Sequence, residues 1–357
     1  MLADLALVGF GNVARRFVRL LDERCGILER EHDLSCRIVA IATRRHGTAL
    51  SPDGLDAVAA AALVERGGSL DLTVPSCLAG SHDSLSAIRF LGTRPGALRV
   101  VVETTTLQIA DGRPARDHVV AALDAGCHVV TANKGPVAFA YRDLMTRANE
   151  AGLSFLFEGA VMDGVPIFNL VRETLPAATI LGFRGVVNST TNHILTALED
   201  GESFEPALAR MQAEGIAEAD ASLDVDGWDA AAKAAALANV WLDARITPHD
   251  VERSGIGPGT AAGAQAARTR GNRLRLVAAA THDRRASVRL MELPTGDLLA
   301  GLRGMSNSLE IETDLLGRIA VTQLDGGLTQ TAYALLSDLI TIRRRATPLA
   351  APPRRNP

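Results

Sequence analysis

Leu5-Ala6-Leu7-Val8-Gly9-Phe10-Gly11-Asn12-Val13-Ala14 is the stretch on which the fold turns. Leu5–Val8 is apolar at every position, the pattern of a strand buried on both faces of a parallel sheet. From Val13 to Arg30 apolar residues recur at spacings of three and four, which predicts a helix. Between strand and helix stands Gly-x-Gly-x-x-Ala, a turn that lets backbone approach a pyrophosphate at a helix N-terminus. Ala14 at the third glycine position is an accepted variant. Gly9, Phe10, Gly11, Asn12 and Val13 are therefore candidate cofactor contacts.

Working outward, Ile38–Ala42, Val100–Val102 and His128–Thr131 are again short, β-branched and apolar, and Leu55–Arg66 and Ala115–Ala125 carry helical spacing. Strand and helix in alternation predict an α/β fold, a Rossmann-type doubly wound parallel sheet over residues 1–148. After Ala148 the order changes to a strand at Ser154–Phe157, a helix after Val165-Pro166, a strand at Ile180–Val187, helices to Ala244, and strands near Asn272–Ala280 and Ala286–Glu292. That order predicts a second, mixed α+β domain over 149–325. A last helix, within about 326–346 and centred on Thr331–Arg343, follows the segment Gly317–Leu324 and could pack back on either domain; a return to the first would leave a cleft between the two. Residues 347–357, with four prolines and two arginines, read as a flexible tail.

Composition narrows the class. The 357 residues are 47% hydrophobic and 22% charged, far from the signature of disorder. Lys plus Arg number 37 against 41 Asp plus Glu, a net charge of −4, which argues against a nucleic-acid partner. Cys25, Cys36, Cys77 and Cys127 form no C-x-x-C pair, and the eight histidines form no H-x-x-x-H, so neither a disulfide framework nor a zinc site is expected. Met1–Val8 has no basic region before its short apolar run, and no run of about 20 apolar residues occurs, so a cytoplasmic protein without a membrane partner is expected.

Thr43-Arg44-Arg45-His46 follows the second strand, where an NAD enzyme would carry an Asp or Glu for the ribose hydroxyls. Two guanidiniums there suit a 2′-phosphate, so Arg44 and Arg45 predict NADP in preference to NAD. Two further strand ends, Glu103-Thr104-Thr105-Thr106 and Thr131-Ala132-Asn133-Lys134-Gly135-Pro136, should face the same cofactor. Thr104, Thr105, Asn133 and Lys134 join the candidates on that ground, Lys134 as a cation that could meet a substrate carbonyl.

The second chemical cluster runs from Ala217-Glu218 through Asp220, Asp224, Asp226 and Asp229 to Lys233. From Ala230 to Val240 the helix is nearly all Ala, Leu and Val around that single cation. A helix apolar all round is buried, so Lys233 needs partners, and Asp229 lies four residues before it on the same face. Desolvation opposed by carboxylates predicts a lysine able to exchange a proton with a hydroxyl near neutral pH, as carbonyl reduction requires. The alternative use of the same carboxylates is a divalent-metal site. His193, beside Asn192, reads as a helix-face residue first and a substrate contact second.

Taken together, these residues resemble homoserine dehydrogenase over nearly the whole chain, in the short form without a regulatory module. The resemblance rests on the glycine turn, Asn133-Lys134-Gly-Pro, Glu158-Gly-Ala-Val161-Met-Asp163-Gly-Val165-Pro166, Asn188-Ser-Thr-Thr-Asn192-His-Ile-Leu, the stretch from Glu218 through Asp229 to Lys233, and Gly326-Gly-Leu-Thr-Gln-Thr-Ala332. It implies reversible hydride transfer between L-homoserine and L-aspartate 4-semialdehyde with NAD or NADP, a step toward threonine and methionine. Lys233 and Lys134 would relay the proton, Glu218, Asp224 and Asp229 would hold the amino and hydroxyl groups, and Thr190 and Asn192 would orient the substrate. Gly326 would approach the cofactor. A monovalent cation, Na⁺ or K⁺, is implied at Glu158, Val161, Asp163 and Val165, and a homodimer through the second domain.

The sequence departs from the family at Ser189, where Gly is usual, at His193, where Tyr is usual, at Ala221 in place of Pro, and at Met162 and Asp163 in place of small residues. Ser189 and His193 leave open a dehydrogenase of the same architecture for a related small hydroxy or amino acid. A dinucleotide-binding sensor without catalysis is opposed by the presence of Lys134, Asp229 and Lys233 together.

Overall fold

The computed structural model describes residues 1–70, 83–96, 98–214, 217 and 220–346. Its first sheet contains β1 (Leu2–Val8), β2 (Ser35–Thr43), β3 (Gly47–Leu50), β4 (Leu98–Glu103), β5 (His128–Thr131) and β6 (Phe155–Leu156) in the order β3-β2-β1-β4-β5-β6. All neighbours are parallel except β3, which folds back antiparallel on β2. The connecting helices are α1 (Asn12–His32), α2 (Ala57–Glu65), α3 (Ser84–Gly92), α4 (Ala115–Asp124) and α5 (Lys134–Glu150). The order reverses between β1 and β4, and a ligand crevice in such a sheet lies beyond the carboxyl ends of the strands at that switch. The glycine turn leaves β1 there, and Glu103 ends β4 and Lys134 follows β5 on the same edge.

The second sheet runs β12-β11-β7-β9-β10-β8, made of β7 (Ile180–Val186), β8 (Glu252–Arg253), β9 (Asn272–Thr281), β10 (Ala286–Pro294), β11 (Asn307–Thr313) and β12 (Gly317–Gln323). With it come α6 (Ile167–Asn169), α7 (Ser189–Glu199), α8 (Phe204–Ala213), α9 (Ser222–Val225), α10 (Trp228–Leu242) and α11 (Thr260–Thr269). The alanines of α10 are buried on every side, as their run implies. Asn239 fastens that helix to α5, donating from Nδ2 to the carbonyls of Val137 and Ala138 at 3.2 Å each. This lateral docking brings the two lysine-bearing helices together.

α12 (Leu328–Arg345) leaves the second sheet after β12 and lies along α1, burying Ala332, Leu335, Leu336, Leu339 and Ile342 in the core of the first sheet. Arg343 locks its far end, donating from Nε to the Asp33 carbonyl at 3.0 Å. The returning helix puts its own N-terminus at the cleft.

β3, a short edge strand, α3, α5, β8, α11 and β11 have no counterpart among the expected elements. The expected helix after Val165-Pro166 is only the short α6 running into a π-helical turn at Leu170–Thr174, and the expected strand Ser154–Phe157 pairs over two residues. Among the described residues no helix is long and apolar enough to cross a membrane.

Candidate active site

Gly9 sits at φ +85°, and a Cβ there would stand 2.8 Å from the backbone of Thr104 and Thr105. Only glycine fits, because both the conformation and the approach exclude a side chain. The contact is reinforced by Thr104, whose Oγ1 donates to the Gly9 carbonyl at 2.9 Å. Gly11 is different: a Cβ on it would meet nothing within 4 Å. It leaves open space before α1, whose N-terminus has no side-chain cap. Unsatisfied amides, a helix dipole and a bare glycine in front of them suit a pyrophosphate. Phe10 is 4% exposed, so its ring belongs to the core and only its backbone faces the turn. Arg44 and Arg45 are exposed in the turn between β2 and β3, beyond the carboxyl end of β2.

Across the crevice, the carboxylate of Asp229 lies between two ammoniums: Lys134 Nζ is 3.0 Å from Oδ1, and Lys233 Nζ is 3.0 Å from Oδ2. All three side chains are largely buried, between 14% and 19% exposed. Asn188 completes the arrangement, its Nδ2 donating to Asp224 at 2.7 Å and to Asp229 at 2.8 Å. The side-chain oxygen of Asn188 caps α7 through the Thr191 amide. Lys233 also donates to the Val187 carbonyl at 2.6 Å.

Burial works to raise the pKa of Asp229, but Lys134, Lys233 and the Asn188 amide outweigh it and hold the carboxyl well below its ordinary range. Asp224 goes the other way, pushed up by burial and by the charge of Asp229. Burial pulls Lys233 down, yet Asp229, Asp163 and Asp224 more than restore it, and the ammonium stands above its ordinary value. The direction is opposite to the expectation of a lysine lowered toward neutrality: three carboxylates outweigh the desolvation and favour the charged form of Lys233. A divalent ion at these carboxylates is likewise disfavoured, because two ammoniums already occupy Asp229.

Lys134 and Lys233 line a cavity of about 240 Å³ with Val13, Thr104, Thr105, Asn133, Asp163 and Thr331. The cavity therefore joins the glycine turn, the ends of β4 and β5, α10 and the start of α12. A larger cavity, about 420 Å³ and bordered by α1 and Asp53–Val58, holds none of the candidate residues.

Other candidates do not line the lysine cavity. Thr190 is buried in the first turn of α7, and Asn192 donates from Nδ2 to the carbonyls of Gly304 and Ser306 at 3.0 and 3.1 Å, so its amide braces a loop. Gly326 lies beside Asp163, 3.0 Å from its Oδ2 to a Cβ built on the glycine. Glu218 lies outside the described residues. His193 stands near the charges of Arg210, Glu214 and Glu202 on the α8 side, and burial and Arg210 lower its pKa. Ser189 is helical, with no left-handed backbone to demand glycine, and its hydroxyl accepts from Asn307 Nδ2 at 2.7 Å.

In the loop after β6, Glu158 is buried, its two oxygens accepting from the Phe168 and Asn169 amides at 2.8 Å each. Burial pushes its carboxyl up to about 7 against those hydrogen bonds. The Val161 and Asp163 carbonyls accept no backbone hydrogen bond among the described residues, whereas Val165 accepts from Ile167 at 2.8 Å. A buried carboxylate beside free carbonyls suits a monovalent cation in its donor chemistry. The Asp163 side chain is committed elsewhere, to Thr331 Oγ1 at 3.0 Å and Gln323 Nε2 at 3.1 Å.

Sequence reasoning did not single out Asn188 as the bridge between Asp224 and Asp229, nor Thr331 and the Val187 carbonyl. Asn188 carries one readable signal, the Asn-x-x-Thr start of a helix; the other two meet the site only through long-range packing.

Two family models match the chain: "Homoserine dehydrogenase, NAD binding domain" over residues 9–158 and "Homoserine dehydrogenase" over residues 166–340. A curated NAD(+)-dependent homoserine dehydrogenase of Pseudomonas canavaninivorans is 36% identical over 349 residues, covering 96% of this chain and 97% of its own length. A homoserine dehydrogenase of Methanocaldococcus jannaschii is 35% identical over 340 residues, 95% of this chain and 98% of its own. Among solved structures, a hyperthermophilic archaeal homoserine dehydrogenase in complex with NADPH superposes with a TM-score of 0.78 at 27% identity, covering 97% of this chain and 98% of that one.

Proposed function

The chain belongs to the homoserine dehydrogenase family and is an NAD(P)-dependent oxidoreductase acting on the L-homoserine hydroxyl; on that premise we propose how its residues divide the work. Residues 1–148 hold the dinucleotide, with α12 returning to them, and 149–325 hold the substrate and the contacts of a homodimer. Leu315 and Leu316, 70% and 53% exposed at the tip between β11 and β12, support such a contact.

The observation that carries the reading is the pair of lysines, each 3.0 Å from one carboxylate in the wall of the cavity. A nicotinamide bound along the Gly9–Val13 turn would supply or accept the hydride at the substrate carbon. In the reducing direction the aldehyde oxygen takes a proton from Lys233, with Lys134 as the second cation at that oxygen, and the alcohol results. In oxidation the proton returns by the same route. Asp229 holds both ammoniums in register, while Asp224 and Glu218 bind the substrate amino group. Thr190 and Asn192 shape the floor. Gly9–Val13, Thr104, Thr105, Asn133 and Gly326 form the dinucleotide wall, and Glu158 with the carbonyls of Val161, Asp163 and Val165 forms the monovalent-cation loop.

NADP is the preferred cofactor in this reading, supported by Arg44 and Arg45, exposed beyond β2 with no ion-pair partner among the described residues. The NAD(+)-dependent relative and the NADPH-bound one support opposite choices, and the arginines are what favours NADP in this reading. The test is steady-state homoserine oxidation with NADP and NAD, with Lys233→Ala as control. We expect turnover favouring NADP, a loss of kcat of about 10³-fold or more in Lys233→Ala, and NADPH binding within about threefold of the parent. Arg44→Ala with Arg45→Ala should weaken NADP by at least about tenfold relative to NAD. Equal losses for both cofactors would sink the phosphate assignment; collapse of NADPH binding in Lys233→Ala would make that lysine structural.

A further inference from the structure

Glu103, the last residue of β4, is 0% exposed; among the described residues no lysine or arginine stands within ion-pairing distance, and the one ionisable neighbour is the buried His118 ring, whose Nδ1 lies 3.7 Å from Oε1, beyond hydrogen-bonding distance. A carboxylate in that setting persists only where its oxygens are satisfied. They are satisfied in a distinctive way. Oε1 accepts from the Thr105 amide at 3.0 Å and from the Thr105 hydroxyl, while Oε2 accepts from Thr131 Oγ1 at 2.9 Å. Thr131 Oγ1 in turn accepts from the Asn133 amide at 2.9 Å, and Asn133 Nδ2 donates to the Thr105 carbonyl at 2.8 Å. The four residues close a ring.

One side of that ring leads to the lysine. Asn133 Oδ1 accepts from the Gly135 amide at 2.8 Å, capping α5, whose first residue is Lys134. The direction in which α5 starts, and with it the path of the lysine toward Asp229, is set by Asn133, and Asn133 is held by the two threonines that share Glu103. An apolar residue could fill this buried position with equal stability; it could not tie the β4 end to the β5 end.

We propose that Glu103 is a positioning residue for Lys134, acting through Thr131 and Asn133 to fix where the ammonium meets Asp229 and the substrate oxygen. The proposal rests on the reading of Lys134 as a cation of the reaction. Neither Glu103 nor Thr131 lines the cavity, so neither touches substrate directly.

The test is a double-mutant cycle of Glu103→Gln and Lys134→Ala, with kcat, KM for homoserine, NADPH binding by fluorescence titration and Tm measured on each protein. Glu103→Gln should lower kcat about tenfold, the scale of a small misplacement of a reacting group, with NADPH binding within about threefold. In the Lys134→Ala background the same change should lower kcat less than about twofold, since the group it positions is gone. Multiplicative losses in the double variant, or a lowered Tm with unchanged kcat, would overturn the proposal. Unchanged kcat in Lys134→Ala alone would instead overturn the role of the lysine, a separate result. Should Glu103→Gln fail to fold, Thr131→Val and Thr131→Ser serve in its place. The hydroxyl-bearing Ser variant should stay within about twofold of the parent and Val should reproduce the tenfold loss; equal behaviour of the two would overturn the proposal.

Discussion

On the proposed assignment the dinucleotide side of the cleft is made of backbone and the substrate side of side chains, and the contrast decides how each can be damaged. Gly11 and the uncapped start of α1 present amides and empty space, with Gly9 packed against Thr104 behind them, all within one strand-turn-helix unit. Lys134, Asn188, Asp224, Asp229 and Lys233 come from three separate parts of the chain and meet only because α10 docks on α5 and α7 starts beside it. The first side depends on shape; the second depends on charge balance.

The sharpest way to break that contrast is Asp229→Asn, which keeps the shape and removes the charge. Two ammoniums would then face each other without the carboxylate between them. We expect kcat to fall by about 10²–10³-fold while NADPH binding changes little. The pH dependence has a definite sign. Lys233 now stands above its ordinary pKa because Asp229 and its neighbours outweigh burial. Without Asp229 burial gains ground, the lysine loses its proton at lower pH, and the alkaline fall in semialdehyde reduction moves toward neutrality. A kcat–pH profile of the variant with an unmoved alkaline limb would mean that Lys233 is not the acid.

This contrast also explains what could be read in advance. The glycine turn, the parallel strands and the polyalanine helix are local patterns with fixed periods, and each is present in the structure where its pattern lies. The need of Lys233 for a carboxylate was legible from its apolar surroundings, and Asp229 from the spacing of four. The sign of the lysine pKa was not, because Asp163 lies seventy residues away in sequence and its charge reaches Lys233 only through the fold. The hydrogen bonds of Asn188 and Asn192 were equally hidden: one amide bridges two carboxylates, the other braces a loop, and the two stand four residues apart in the same motif.

A second test works on the shape-dependent side, by placing one methyl group at each of its two glycines. Gly9→Ala forces a side chain into a left-handed backbone 2.8 Å from Thr104, and should cost about 1–3 kcal/mol of stability. Gly11→Ala meets no protein atom within 4 Å, so Tm should hold. Its methyl enters the space assigned to the pyrophosphate, and KM for NADP should rise by about tenfold with kcat nearly kept. Thermal unfolding and cofactor titration on both proteins separate the two effects, and a Gly11→Ala enzyme with unaltered cofactor affinity would move the dinucleotide away from this turn.

The smallest expected change comes from Ser189→Gly, at the boundary between the two kinds of construction. Ser189 begins α7 one residue after Asn188, and its hydroxyl is occupied by Asn307 Nδ2 at 2.7 Å. Restoring glycine removes that hydrogen bond, worth about 1 kcal/mol, and adds backbone freedom at the helix start. Tm should fall by a few degrees, at about 2–4 °C per kcal/mol for a domain of 150–250 residues. Because the hydroxyl is turned to β11, KM for homoserine should stay within about threefold. A tenfold shift in KM would instead make Ser189 part of the substrate wall, and the first turn of α7 would then act by shape, as the glycine turn does, in place of serving only to aim Asn188 at its two carboxylates.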